Sequence, residues 1–135
     1  MSPKKIVKAF YESDLANDIS LLSKFLHKDC TLHWSSSKGY TVLNFDDLKT
    51  FFEDINKAYT ALRMQISHLL QDGNFVTTRY TLYVRTIENP DEEVPLVHYI
   101  SIWEVKDGKL FDCYEISQPV DASTASLKSF SQIKV

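Results

Sequence analysis

Apolar positions recur with a helical period through the first part of the chain and with a strand period through the second. Ile6, Val7, Phe10 and Tyr11 fall on one helical stripe, opened by the Ser2 hydroxyl as a cap and by Pro3 at the first helical position. Asn17-Asp18 interrupts this helix and caps a second, short one carrying Ile19, Leu22, Phe25 and Leu26. Cys30 to Ser35 reads as a strand, Ser35 to Gly39 as a loop and Tyr40 to Leu43 as a short strand. Asn44 caps a third helix, with Asp46 and Asp47 in its first turn and Leu48, Phe51, Phe52, Ile55 and Tyr59 on its buried side. From Arg63 onward the period is that of strands: Met64 to Leu70, then Phe75 to Ile87, joined at Asp72-Gly73. The acidic stretch from Glu88 to Glu93 is a solvated connection to a hairpin spanning Leu96 to Pro119.

That hairpin is the most informative stretch. Two runs rich in β-branched and aromatic residues flank Asp107-Gly108, the strongest short-range turn signal a sequence offers. A two-residue loop pairs Val105 with Leu110 and places His98, Ile100 and Ile102 beside Phe111, Cys113 and Glu115. A three-residue loop with Gly108 as a left-handed bulge pairs Val105 with Lys109. It sets Tyr99, Ser101 and Trp103 beside Phe111, Cys113 and Glu115, and turns His98 to the opposite face. Asp-Gly followed by Lys suits the bulged turn, which only Gly accepts cheaply. Both arms are apolar on each face, so the sheet is expected to be covered on both sides. The tail beyond Val120 is small and Ser-rich from Ala122 to Ser131, with Leu127, Phe130 and Ile133 recurring every third residue. It fits either a docked helix or a loosely ordered end.

Helices first and strands after, with one helix between, means α+β with the helices on one face of a curved sheet. No repeat or internal boundary divides the 135 residues, so positions 1–120 form one domain and 121–135 a tail. A net charge of -3 with no basic stripe argues against a nucleic-acid partner. No apolar segment follows the opening Met-Ser-Pro-Lys-Lys, so neither a signal peptide nor a membrane span is expected. Cys30 and Cys113 fit no metal spacing and read as reduced thiols of a cytoplasmic protein. The glycines, Gly39, Gly73 and Gly108, all sit at turns, and no phosphate-binding loop or serine-elbow motif is present.

The helices and the long antiparallel sheet, closed by Asp-Gly-Lys-Leu-x-x-x-Tyr-Glu-Ile-x-Gln-Pro, resemble the nuclear-transport-factor-2-like superfamily, and within it the SnoaL-like branch. The resemblance spans Lys5 to Pro119. It implies a cone-shaped, curved antiparallel sheet packed on three helices with an internal apolar pocket, and a homodimer through the other sheet face. Carried over by position, Glu115 stands where SnoaL-like polyketide cyclases keep an acid/base aspartate. Against ketosteroid isomerase, the phenolic donor position falls on Phe10 (Tyr11 is next door), the proton-shuttling aspartate on Trp34 and the second acid on Ser101. All three depart from the pattern, so the resemblance does not imply steroid isomerisation.

Glu115 is the leading candidate for chemistry, because a carboxylate in an apolar pocket is desolvated toward a raised pKa. The plain alternative is a Glu115 that faces water or pairs with Arg79 or Arg85. Tyr99 and Ser101 could orient a substrate oxygen, with Trp103 on the same face. One of His33 and Trp34 should point inward, since strand neighbours alternate. Cys113 reads better as a small buried residue than as a nucleophile. His68 and His98 have no sequence-level partner, and no metal or other cofactor is expected. Three functions follow: a cofactor-independent acid/base enzyme (cyclase, isomerase or dehydratase type) on a small apolar organic ligand, a ligand-holding module without chemistry, or an interaction dimer. The last would use an exposed sheet face bearing Tyr80, Tyr83 and Tyr114.

Overall fold

The computed structural model describes residues 1–121 and 123–135. Ala122, the first position of the Ser-rich tail, lies outside the described residues. Helix α1 (Pro3–Glu12) is capped as expected, the Ser2 hydroxyl accepting from Lys5 N–H. It buries Ile6, Val7, Phe10 and Tyr11. The short α2 (Leu21–Phe25) starts later than the pattern predicts, after an Asp18 carboxylate that accepts from Ser20 N–H. Strands β1 (Leu26–Ser36) and β2 (Gly39–Asn44) form a hairpin that runs into α3 (Phe45–Ala58). A capping box fixes the start of α3: Asn44 Oδ1 accepts from Asp47 N–H while Asp47 Oδ2 accepts from Asn44 N–H. Four long strands complete the sheet: β3 (Tyr59–Asp72), β4 (Phe75–Thr86), β5 (Glu93–Lys106) and β6 (Lys109–Pro119).

The sheet order is β2-β1-β6-β5-β4-β3. Every neighbouring pair is antiparallel except β1 and β6, which run parallel. An all-antiparallel sheet is therefore corrected at one seam, where the first hairpin docks beside the last strand. Helices α1 and α3 cover the concave face and bury the core there. The convex face is only partly covered. A fourth helix, α4 (Thr124–Ser131), settles the two possibilities for the tail in favour of a docked helix. The Phe130 ring stacks on His98 at 3.7 Å and also lies 3.5 Å from the Arg79 guanidinium. Arg79 donates to Ser129 Oγ at 3.0 Å, and Lys134 N–H donates to Ser67 O at 2.7 Å. The rest of that face leaves Ile100, Ile102, Tyr114 and Ile116 exposed, so the expectation of a sheet covered on both sides holds only under α4.

The turn of the closing hairpin differs from the bulged loop that the sequence suggests. Asp107 and Gly108 form a two-residue loop with both φ angles positive, 54° and 74°, and Val105 pairs with Leu110. One step further in, Glu104 pairs with Asp112, so Phe111 is an extra residue bulged out of β6. The bulge restores the parity a tight turn would have reversed. Ser101 sits opposite Glu115 and Trp103 opposite Cys113, on the face the bulged-turn register assigned them. No helix among the described residues is long and apolar enough to cross a membrane.

Candidate functional site

Glu115 faces inward from β6 and is 7% exposed. Its Oε1 accepts two hydrogen bonds, from Ser101 Oγ at 2.6 Å and from the Tyr80 hydroxyl at 2.9 Å. Ser101 and Tyr80 lie on β5 and β4, so three consecutive strands hold the group. Burial raises the Glu115 pKa above the ordinary carboxyl value, and the Ser101 and Tyr80 donors oppose that shift without cancelling it. Among the described residues, none donates to Oε2. With Oε1 taken, Oε2 is the oxygen left for a molecule in the chamber that Glu115 lines. Arg79 and Arg85 are engaged elsewhere, with α4 and with Pro90 O.

Aromatic packing fixes the Tyr80 donor. Tyr80 stacks on Tyr99 with centroids 4.8 Å apart and planes 11° apart, and lies 4.5 Å from Tyr11. Trp103 Nε1 donates to the Tyr11 hydroxyl at 2.7 Å, tying α1 to the sheet. Burial pushes the phenols of Tyr11, Tyr80 and Tyr99 up, with the Glu115 charge adding to the shift in each. They stay protonated at neutral pH and can act only as donors or neutral acceptors. Among the described residues the Tyr99 hydroxyl has no partner, so it is a second group open to a ligand.

The inner chamber measures about 60 Å³. Beyond Glu115 its walls are apolar or aromatic, including Phe10, Trp34, Phe52, Met64, Tyr99 and Trp103. An outer chamber of about 330 Å³ adjoins it, between the β1–β2 turn, the end of β6 and the C-terminal half of α3. The two share Trp34, Phe51, Ile55, Leu62, Leu82 and Tyr99, which form the neck between them. Trp34 is held there by a hydrogen bond from its Nε1 to Ser117 Oγ at 2.8 Å and by an edge contact with Phe51.

Of the residues singled out from the sequence, Phe10, Trp34, Tyr99, Trp103 and Glu115 line the inner chamber, and Ser101 stands behind Glu115 as its donor. Two depart. His33 points to the convex face, stacked on Tyr114 at 4.5 Å and bonded to the Tyr40 hydroxyl at 2.9 Å, because Trp34 takes the inward position beside it. Cys113 is wholly buried but does not line either chamber, and burial beside Glu115 pushes its thiol well up. Burial likewise pushes the Cys30 thiol up to about 11. Tyr80 was missed as a site residue: it was expected on the exposed face and is instead buried against Glu115. Strand parity carried the signal, since Tyr80 must face away from Arg79 and Tyr83 on the same strand. Among the described residues, no three His, Cys, Asp or Glu side chains gather in a way that could hold a metal ion.

Several solved structures share this architecture. IdmH, a candidate polyketide cyclase from Streptomyces antibioticus, superposes with a TM-score of 0.71 at 14% identity over 96% of this chain and 97% of its own. A candidate SnoaL-like polyketide cyclase from Shewanella denitrificans gives 0.67 at 10% identity, over 96% of each chain. TerC, co-crystallised with polyporic acid, gives 0.61 at 18% identity over 97% of this chain and 99% of its own. At these identities the likeness shows the fold. No curated relative matches the sequence. The sequence pattern of a SnoaL-like domain, however, matches residues 7–113, most of the chain, and the protein belongs to the SnoaL-like family.

Proposed function

We propose that this protein is a cofactor-independent acid/base enzyme that moves a proton on a small, largely apolar carbonyl compound, in a reaction of the cyclase, isomerase or dehydratase type. One observation carries the reading. Glu115 is buried, held at Oε1 by Ser101 and Tyr80, and left with Oε2 as the only carboxylate oxygen available to the inner chamber. Desolvation brings its pKa toward the range where a carboxyl both accepts and returns a proton near neutral pH. An apolar chamber strengthens every charge interaction within it, so a carbonyl oxygen polarised by the Tyr99 hydroxyl would stabilise the developing enolate. The candidate cyclases of the same fold agree with this class of chemistry.

The test is α-proton exchange of an apolar ketone, 2-tetralone, in D2O, followed by NMR. The protein should accelerate deuterium incorporation and Glu115→Gln should abolish the acceleration. Equal rates for the two proteins would overturn the assignment. We also infer that two copies pair through the bare part of the convex face, where Tyr114 is 59% and Ile116 68% exposed. A sedimenting species of monomer mass at all concentrations would remove that pairing.

A further inference from the structure

The two chambers differ in character, and the difference bears on what enters them. Among the described residues, Glu115 is the only charged one lining the inner chamber and Lys38 the only one lining the outer. Lys38 lies in the two-residue turn between β1 and β2, where its N–H donates to Ser36 Oγ at 3.2 Å. Ser36 Oγ in turn reaches Gly39 O at 3.5 Å, so one serine anchors the backbone that presents Lys38 at the rim. Lys38 forms no ion pair among the described residues. Between the two charges stands an aromatic neck of Trp34, Phe51 and Tyr99. Trp34 is pinned by Ser117 and Tyr99 by its stack on Tyr80, so two of the three neck rings are held in place and offer aromatic faces and edges to a ligand ring.

We propose that the substrate is an aromatic, ring-bearing acid: its reacting carbonyl end reaches Glu115 in the inner chamber, its ring system fills the neck and outer chamber, and its anionic group pairs with Lys38. The volumes set the order. The inner chamber, about 60 Å³, admits only a small end group, whereas the outer, about 330 Å³, has room for a fused-ring system. Charge fixes the direction. An anion beside buried Glu115 would meet a like charge in a poorly screened site, while the same group at the rim meets an unpaired cation. Lys38 is thus a specificity determinant that does not touch the reacting atoms.

The proposal rests on the acid/base reading of this pocket, but it is tested by binding without turnover, so the two can fail separately. The probes are 8-anilinonaphthalene-1-sulfonate and N-phenyl-1-naphthylamine, which share one ring skeleton and differ in the sulfonate. Fluorescence titration of the wild-type protein should show both bound. Lys38→Glu should weaken the sulfonate probe by about tenfold and change the neutral probe by less than about twofold, while Lys38→Arg keeps both. Leu96→Trp, which narrows the outer chamber, should weaken both probes. Loss of both probes to the same degree in Lys38→Glu overturns the proposal, as does a sulfonate affinity unchanged in that variant. Unchanged affinity for both probes in Leu96→Trp also overturns it, because the dyes would then sit outside the chamber.

Discussion

Replacing Tyr80 with Phe removes one oxygen from the centre of the molecule and leaves the ring stacks on Tyr99 and Tyr11 in place. What is lost is one of the two donors to Glu115 Oε1. A hydrogen bond between neutral groups contributes about 0.5–1.5 kcal/mol, and one to a charged group about 1.5–3 kcal/mol. The cost of Tyr80→Phe should therefore depend on whether Glu115 carries its charge. The Glu115 pKa in the folded protein lies above the ordinary value of 4.5. Its contribution to stability is thus fully present below that value and is lost as pH rises through the folded one. Without Tyr80 the folded value moves higher still, the decline runs further, and the gap to wild type widens with pH. We expect about 1 kcal/mol below pH 4.5, growing to about 2 kcal/mol as pH rises through the folded value. Urea unfolding followed through the two tryptophans, Trp34 and Trp103, measures this at each pH. In a Glu115→Gln background the Tyr80→Phe cost should become independent of pH, which isolates the coupling. A gap that stays constant with pH in the wild-type background would refute a titrating carboxyl under Tyr80.

Two further outcomes follow from groups near the site and under the tail. Thr78, wholly buried on β4 opposite Ser101, has an Oγ1 with no hydrogen-bond partner among the described residues. Thr78→Val keeps the shape and removes the stranded hydroxyl, so it should raise stability by about 1 kcal/mol, read as a higher Tm in calorimetry; a fall in Tm would show the hydroxyl to be satisfied. On the convex face, burial and the Arg79 charge hold the His98 pKa below the ordinary 6.5, against a weaker pull from Asp121. Docking of α4 is then favoured in full above pH 6.5 and is lost as pH falls through the folded value. Acidification should move the α4 amide resonances toward random-coil positions, Phe130→Ala should produce that spectrum at neutral pH, and unshifted resonances would contradict the docking argument.

The sequence was most readable where the pattern is local. The Ser2 and Asn44 caps, the α3 stripe as far as Ile55 and the strands from Met64 onward follow from short-range rules, whereas Tyr59, expected on the helix, opens β3 instead. The hairpin faces came out right through two compensating departures: the turn is tighter than Asp-Gly-Lys suggests, and the Phe111 bulge shifts the register back. No local signal marks a bulge whose cause is packing across the sheet. Parity could have put Tyr80 inside, since it alternates with Arg79, but aromatic content drew it to the exposed face. The docking of α4 could not be read, because its apolar residues meet Arg79 and His98 on strands far away in sequence. The parallel seam was hidden for the same reason, as strand direction there depends on the path of the whole chain.

That seam has a consequence for how the molecule is made. Trp34 and Glu115 are register partners across β1 and β6, yet 81 positions separate them. A nascent chain with its final strand still inside the ribosome has an N-terminal hairpin that can pack on α3 but lacks the strand that joins it to the rest of the sheet. Closure of the inner chamber therefore waits on β6, and a chain truncated before Lys109 lacks both the seam and Glu115.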